Sequence, residues 1–278
     1  MAVTATDVKT LRDRTNLPMM DCKAALTQSG GDIEKAIDIL RAKFKDATVK
    51  FAGREAAEGR VAIYIDNAQK IGAIIEVRCE TPPVTKAEAF IALANDLAKH
   101  VALKNPANVE ELLKQDVGGG KTGQDRVTDV IGMIRENMKV QRFTRVTGLC
   151  GEYVHHDGSV GVLVVVEGEK ADPVVLRDVA MHVAAQNPMV GKRTDVPADL
   201  IAKEAEIAKA QLANDPKNAN KPAKIMEMIL EGKLKTWFAA NVLLEQPFVK
   251  DDTKSVGDLL KTSGVTLDRF IRYRVGEK

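Results

Sequence analysis

Apolar positions along the chain change their spacing several times, and each change marks an element. Val8, Leu11 and Thr15 line a first helix, Met19, Cys22 and Leu26 a second, and Ile33, Ala36, Ile37 and Leu40 a third, each on the repeat of one helix face. Asn16-Leu17-Pro18 separates the first two, with Pro18 suited to an opening turn; Ser29-Gly30-Gly31 ends the second, and Asp32 caps the third. So small a unit holds little core and no catalytic cleft, which makes it a docking module. Met20 and Asp21 fall off the inward face set by Met19, Cys22 and Leu26. An exposed thioether beside a carboxylate is expected there, either an adaptable contact for a partner or a surface methionine of no consequence.

Beyond a basic connector with Lys45, Lys50, Arg54 and Arg60, the period drops to two. Val61, Ile63 and Ile65 alternate, Asp66 to Lys70 turn the chain, and Ile71, Ala73, Ile75, Val77 and Cys79 alternate as a half-buried strand does. Phe90, Leu93, Ala94, Leu97, Ala98 and Val101 then repeat as a helix face. Between strand and helix stands Glu80-Thr81-Pro82-Pro83-Val84. Two consecutive prolines fix φ, remove two donors and push Thr81 toward extended geometry. The corner is expected to be neither helix nor inner strand and to protrude as a rigid tip.

The pattern then recurs. Leu93 to Pro106 aligns with Val175 to Pro188, with identity at Asp96/Asp178, Ala98/Ala180, His100/His182, Val101/Val183, Ala102/Ala184, Asn105/Asn187 and Pro106/Pro188. Tyr64 to Gly72 likewise resembles Tyr153 to Gly161. Gly72 precedes Asp96 by 24 residues and Gly161 precedes Asp178 by 17, so the first copy is seven residues longer, and the extra length is assigned to the Pro82-Pro83 corner. That elaboration marks either a working element or a tolerated surface insertion.

Val109 to Gln115 reads as a short helix leading to a Gly118-Gly119-Gly120-Lys121-Thr122-Gly123 loop. It imitates a phosphate loop but has Gln115 where the first glycine is needed and follows a helix rather than a strand. His100 and His182 sit among alanines and valines as interior or capping histidines. His155-His156 stands at a hairpin turn before Asp157-Gly158 without carboxylate or cysteine at metal-ligand spacing. Pro197 to Leu212 and Ala223 to Leu230 form a helical hairpin turned at Asn214 to Pro222, with Ile225, Met228 and Ile229 as its apolar set; either it pairs with another subunit or it covers its own core. A short helix around Val256 to Leu260 and a strand from Leu267 to Val275 close the chain, with Ile271, Tyr273 and Val275 facing one way.

Composition narrows the class. Alanine-rich segments and 4% aromatic residues favour helix over sheet, and 278 residues suffice for roughly two domains. A net charge of +2 makes no general case for nucleic acid or an anionic membrane. Cys22, Cys79 and Cys150 are odd in number and widely spaced, as reduced thiols are. The opening Met1 to Val8 lacks a signal pattern and no apolar run approaches a membrane span, so a soluble cytoplasmic protein without cofactor or metal is expected.

Several spaced blocks resemble bacterial elongation factor Ts: Leu11-Arg12 with Thr15, Met19 to Leu26 (MMDCKAAL), Gly31-Asp32, Lys35-Ala36 and Leu40-Arg41. Glu76 to Thr81 (EVRCET) and Phe90 to Ala94 (FIALA) continue the match, as do Ala180 to Ala185, Asn187-Pro188, Lys221-Pro222 and Leu244 to Asp251 (LEQPFVKD). The resemblance covers essentially the whole chain. It implies an α+β fold: a three-helix UBA-like domain over residues 1–50, a core of two duplicated α/β subdomains over 51–140 and 141–190, a projecting dimerisation-like hairpin over 191–232, and a return to the core with a C-terminal module over 233–278. It also implies guanine-nucleotide exchange on the translational GTPase EF-Tu rather than an enzymatic reaction. On that resemblance Met19, Met20, Asp21 and Cys22 belong to the docking helix, and Glu80, Thr81, Pro82, Pro83 and Val84 to a tip that intrudes near the magnesium and phosphate site. His155 and His156 join the partner-binding set. The family tip commonly reads Glu-Thr-Asp-Phe-Val, so both the acid and the aromatic wedge are replaced here, and an EF-Tu-binding holdase with weak exchange is the alternative. A nucleotide-using enzyme, suggested by the glycine loop and scattered histidines, is the competing class.

Overall fold

A computed structural model describes residues 3–15, 17–215 and 221–277. Its opening is the three-helix unit that the apolar pattern predicts: α1 (Ala5–Thr15), α2 (Met19–Gln28) and α3 (Ile33–Phe51). Leu11, Cys22, Leu26, Ala36, Leu40 and Phe44 close a small core between them. Asn16, part of the expected break, lies outside the described residues. Asp32 accepts the Lys35 backbone N–H at 3.0 Å and caps α3, which runs on through Lys45 and Lys50, so much of the basic connector is helical.

β1 (Glu58–Asp66) and β2 (Ile71–Cys79) form the expected hairpin, with Ile63 opposite Ile74. The half-buried reading of β2 is corrected, because the strand is buried on both faces. Ala73, Ile75 and Val77 pack beneath α4 (Glu88–Lys104), whereas Ile74 enters a second core with Val61, Val146, Leu163, Val165 and Tyr273. Two sheets laid face to face make that second core.

The first sheet is completed by β3 (Lys139–Thr147), in the order β1-β2-β3; the chain reaches it through α5 (Val109–Lys114) and α6 (Gly123–Ile134). The second has β4 (Leu149–Val154), β5 (Val160–Glu167) and the C-terminal β8 (Thr266–Arg274), in the order β4-β5-β8, with α7 (Pro173–Gln186) on its outer face. At Gly161 the second sheet approaches the first closely: a Cβ there would lie 2.4 Å from Val61 Cγ1, a contact that glycine avoids.

Three of the seven identities in the repeat have the same structural role in both copies. Asn105 and Asn187 end α4 and α7 in the left-handed conformation, at φ 50° and 47°, which asparagine tolerates. His100 and His182 are interior, as expected, with Nε2 at 2.8 Å from Gln115 Oε1 and 2.9 Å from Gln246 Oε1. Burial pushes the His182 pKa down, and the Gln246 bond opposes it. Asp96 and Asp178 each meet a cation, Arg126 and Lys250, at 2.7 Å. Even the ladder irregularity recurs, between Glu76 and Val77 and again between Val165 and Val166. The seven additional residues of the first copy do not all fall at the corner. β2 has nine residues against eight in β5, and α4 has seventeen against fourteen in α7, which leaves three for the connector.

α8 (Ala198–Ala213) and α9 (Ala223–Asn241) make the helical hairpin, whose turn residues 216–220 lie outside the described residues. α9 continues past Leu230 because Trp237 and Phe238 extend its apolar side, and Phe238 joins Val196 and Val242 in a core at the hairpin's base. A two-stranded ribbon, β6 (Pro247–Phe248) with β7 (Asp251–Ser255), leads to α10 (Val256–Thr262), which opens on a Ser255/Asp258 capping box. In β8, Ile271 and Tyr273, with Val275 just beyond it, face the first sheet, as their alternation predicts.

Candidate partner-binding surface

Helix α2 divides the first set of predicted residues. Met20 is 74% exposed, as its position off the packed face predicts. Two other expectations are corrected. Met19 is exposed rather than inward, and Asp21 is 9% exposed rather than outward. Asp21 turns in because two cations meet it there: Lys43 Nζ donates to Oδ1 and Arg135 Nη2 to Oδ2, both at 2.7 Å. Burial alone would push its carboxyl up, but the two cations outweigh it and hold the pKa below the usual carboxylate range. Cys22 is fully buried in the three-helix core. The outward apolar surface of α2 is therefore Met19 with Met20.

The corner after β2 is a single 3₁₀ turn over Pro82–Lys86, which corrects the expectation of no helix, with the two prolines in its first positions. Proline suits that place because the first helical N–H groups have no partner to lose. Thr81, Pro82 and Pro83 are exposed, while Val84 and Thr85 are buried beneath them. The Thr85 hydroxyl donates to the Pro82 carbonyl at 2.8 Å, and Arg60 Nη1 donates to the Thr85 carbonyl at 3.3 Å. Val84 thus supports the tip from the core.

At its base the tip is tied to the turn between α6 and β3. Glu136 accepts both the Thr81 N–H, at 3.0 Å, and the Thr81 hydroxyl, at 2.5 Å. The neighbouring Asn137 N–H donates to Glu80 at 2.6 Å, and its side chain donates to the Arg54 carbonyl at 2.7 Å. Sequence reasoning missed Arg135, Glu136 and Asn137. Their only trace in the sequence is a polar triplet behind an amphipathic run, and α6 and β3 themselves were not singled out.

The tip and the His155-His156 turn flank one open cleft of about 800 Å³, lined by Pro82, Pro83, Lys86, Asp157, Ser159 and Arg274. His155 is half-buried with Nδ1 3.1 Å from the Tyr153 hydroxyl, and His156 is exposed. Asp157 accepts the Ser159 N–H and hydroxyl at 2.8 and 2.7 Å. Burial would raise its pKa, but the Ser159 bonds and the neighbouring histidines lower it on balance. Among the described residues, no three His, Cys, Asp or Glu side chains gather as metal ligands would.

The glycine loop is already occupied with its own chain. Gly118, Gly119 and Gly120 take φ values of 113°, 70° and 68°. Lys121 Nζ, which a phosphate would need, pairs with Asp129 at 2.6 Å, and the Thr122 hydroxyl caps α6 in a capping box with Asp125. The three cysteines are buried and unbridged. Burial, with Glu136 and Glu58 nearby, pushes the Cys79 thiol up to about 12; burial pushes Cys150 up to about 11. Neither is an activated nucleophile.

A family model described as Elongation factor TS matches residues 80–277. The chain belongs to the elongation factor Ts family. It is 41% identical to the elongation factor Ts of Clostridium perfringens strain 13 over 287 residues, covering 99% of this chain and 93% of that one. Against the elongation factors Ts of Thioalkalivibrio sulfidiphilus and Methylococcus capsulatus the identities are 40% and 39%, covering 100% of this chain and 93% of each relative. The exposed methionines and the proline tip are therefore features of a member of the elongation factor Ts family, and its mixed helix and sheet architecture is that of an α+β fold.

Proposed function

We infer that the chain is a guanine-nucleotide exchange factor for the translational GTPase EF-Tu in the elongation phase of protein synthesis. Membership of the elongation factor Ts family along nearly the whole chain carries this reading. Exchange requires no chemistry on a bond. A protein that binds the nucleotide-free GTPase more tightly than the loaded one weakens nucleotide by the same factor. Speeding release ~10⁴-fold needs about 5.5 kcal/mol of such differential binding. A buried aromatic anchor at an interface commonly supplies ~2–4 kcal/mol, and the tip here has no aromatic, so contacts beyond the tip share the work. Met19 and Met20 on α2, the Pro82-Pro83 tip and the turn at His155-His156 are the surfaces assigned to it, in a cytoplasmic protein. The alternative, an EF-Tu-binding holdase with weak exchange, rests on the replaced tip residues alone and draws no support from the relatives, which are themselves elongation factors Ts.

The test is stopped-flow release of a fluorescent GDP from EF-Tu. Adding this chain should accelerate release saturably, and Met20→Asp should raise the half-saturating concentration about tenfold, as losing ~1.4 kcal/mol of docking would. Release that stays at its intrinsic rate overturns the inference.

The helical hairpin is assigned to self-association or an intersubunit contact. Ile207, Ile225 and Met228 are all exposed on α8 and α9, although Ala208 and Leu212 are buried. Sedimentation should show a larger species as concentration rises. A monomer at every concentration, alone and with EF-Tu, would remove this assignment.

A further inference from the structure

We propose that Arg135, Glu136 and Asn137 are positioning residues for exchange: this turn holds the Met20 helix and the Pro82-Pro83 tip at one fixed spacing, so that both engage the GTPase together. The proposal rests on the exchange reading and adds a device to it. Three consecutive residues reach three separate segments: Arg135 to Asp21 on α2, Glu136 to Thr81 at the tip, and Asn137 to Glu80 and the Arg54 carbonyl. In sequence, α3, β1 and β2 separate α2 from the tip.

The choice of residue at the turn supports the role. Arg135 ends α6 in the left-handed region, at φ 66° and ψ 33°, where glycine or asparagine is the unstrained choice. The helices α4 and α7 use Asn105 and Asn187 in that place. Arginine accepts the strain here, and its guanidinium completes the cation pair around a nearly buried carboxylate. Glu136 is equally committed, since one carboxylate takes both donors that Thr81 offers. Two contacts on one rigid body make the second effectively intramolecular, and slack between them lowers its effective concentration. The tip must also intrude at a defined place, where a small displacement is costly.

Two variants test this in GDP release from EF-Tu and in amide hydrogen exchange of the free protein. Glu136→Ala should lower the maximal release rate about fivefold, with the half-saturating concentration changed less than twofold, because α2 still docks while the tip is loose. The Thr81 amide should exchange at least about tenfold faster, having lost its acceptor. Arg135→Gly relieves the backbone strain and so removes the latch without endangering the helix end; it should lower the maximal rate about threefold with thermal stability nearly kept. A maximal rate that stays unaltered in Arg135→Gly, or a loss confined to half-saturation in either variant, overturns the proposal. If Glu136→Ala does not fold, Arg135→Gly decides it. Should the unsubstituted chain leave GDP release at its intrinsic rate, the exchange reading falls, and Thr81 amide exchange still decides whether Glu136 holds the tip.

Discussion

Replacing Glu76 with alanine is expected to cost about 3–5 kcal/mol of folding stability, a large part of the ~5–15 kcal/mol that holds an ordinary domain together. Glu76 sits fully buried on β2, with its carboxylate turned toward the second sheet. Arg142 Nε donates to Oε2 at 2.7 Å, and Arg78 Nε lies 2.5 Å from Oε1 as an ion pair off the axis of a hydrogen bond. The Arg142 guanidinium also stacks 4.2 Å from the Tyr273 ring centre and reaches the Arg274 carbonyl at 3.3 Å, which carries the network onto β8. Removing the carboxylate takes from Arg78 and Arg142, whose side chains are 11% and 27% exposed, the counter-charge they share. Urea unfolding of Glu76→Ala measures the loss, and a change below about 1 kcal/mol would show that water reaches the network.

The tip carries the largest expected gain of function. Pro82→Asp with Pro83→Phe should raise the maximal rate of GDP release about fivefold, since an acid and an aromatic add roughly 1 kcal/mol of differential contact. Both prolines are exposed in the first positions of the 3₁₀ turn, and Val84 and Thr85 below them are untouched, so the fold should keep its stability. An acid at that helical start is also electrostatically favourable. In the opposite direction, Thr81→Ala with Pro83→Gly removes a bond to Glu136 and the stiffness of the pair, and exchange should slow several-fold. Unaltered exchange in that second variant would show that the tip is not a working element, and an unaltered rate in the first would show that the wedge was never limiting.

Periodicity makes the three opening helices, the hairpins and the repeat legible in the sequence. Leu11, Cys22 and Leu40 stand on their faces because a small unit has a single inside. It failed at β2, where Ala73, Ile75 and Val77 spell a half-buried strand only if Gly72, Ile74 and Glu76 are taken as the wet face. A residue-by-residue pattern cannot announce that a second sheet will cover that face. Asp21 was misplaced for a related reason: its burial depends on Arg135, more than a hundred residues away, and no local signal joins them. The tip was located correctly as an exposed proline corner, but the turn that anchors it is long-range too. Its Asn105 and Asn187 counterparts were visible as identities in the repeat, whereas the left-handed Arg135 breaks that rule.

The placement of β8 bears on how the chain is made. β5 is the central strand of the second sheet, yet its partner on one side, β8, follows about 100 residues later in the chain. Until Thr266 to Arg274 leave the ribosome, the backbone of Val160 to Glu167 presents an unpaired edge along one side, and Val162 to Val166 form a run of apolar residues rich in β-branched valines. The first sheet, complete by Thr147, can form while the second waits. A nascent chain stalled before β8 would therefore be a substrate for chaperones that guard open strands, and a stop codon just ahead of Thr266 should yield aggregate rather than a shorter soluble protein.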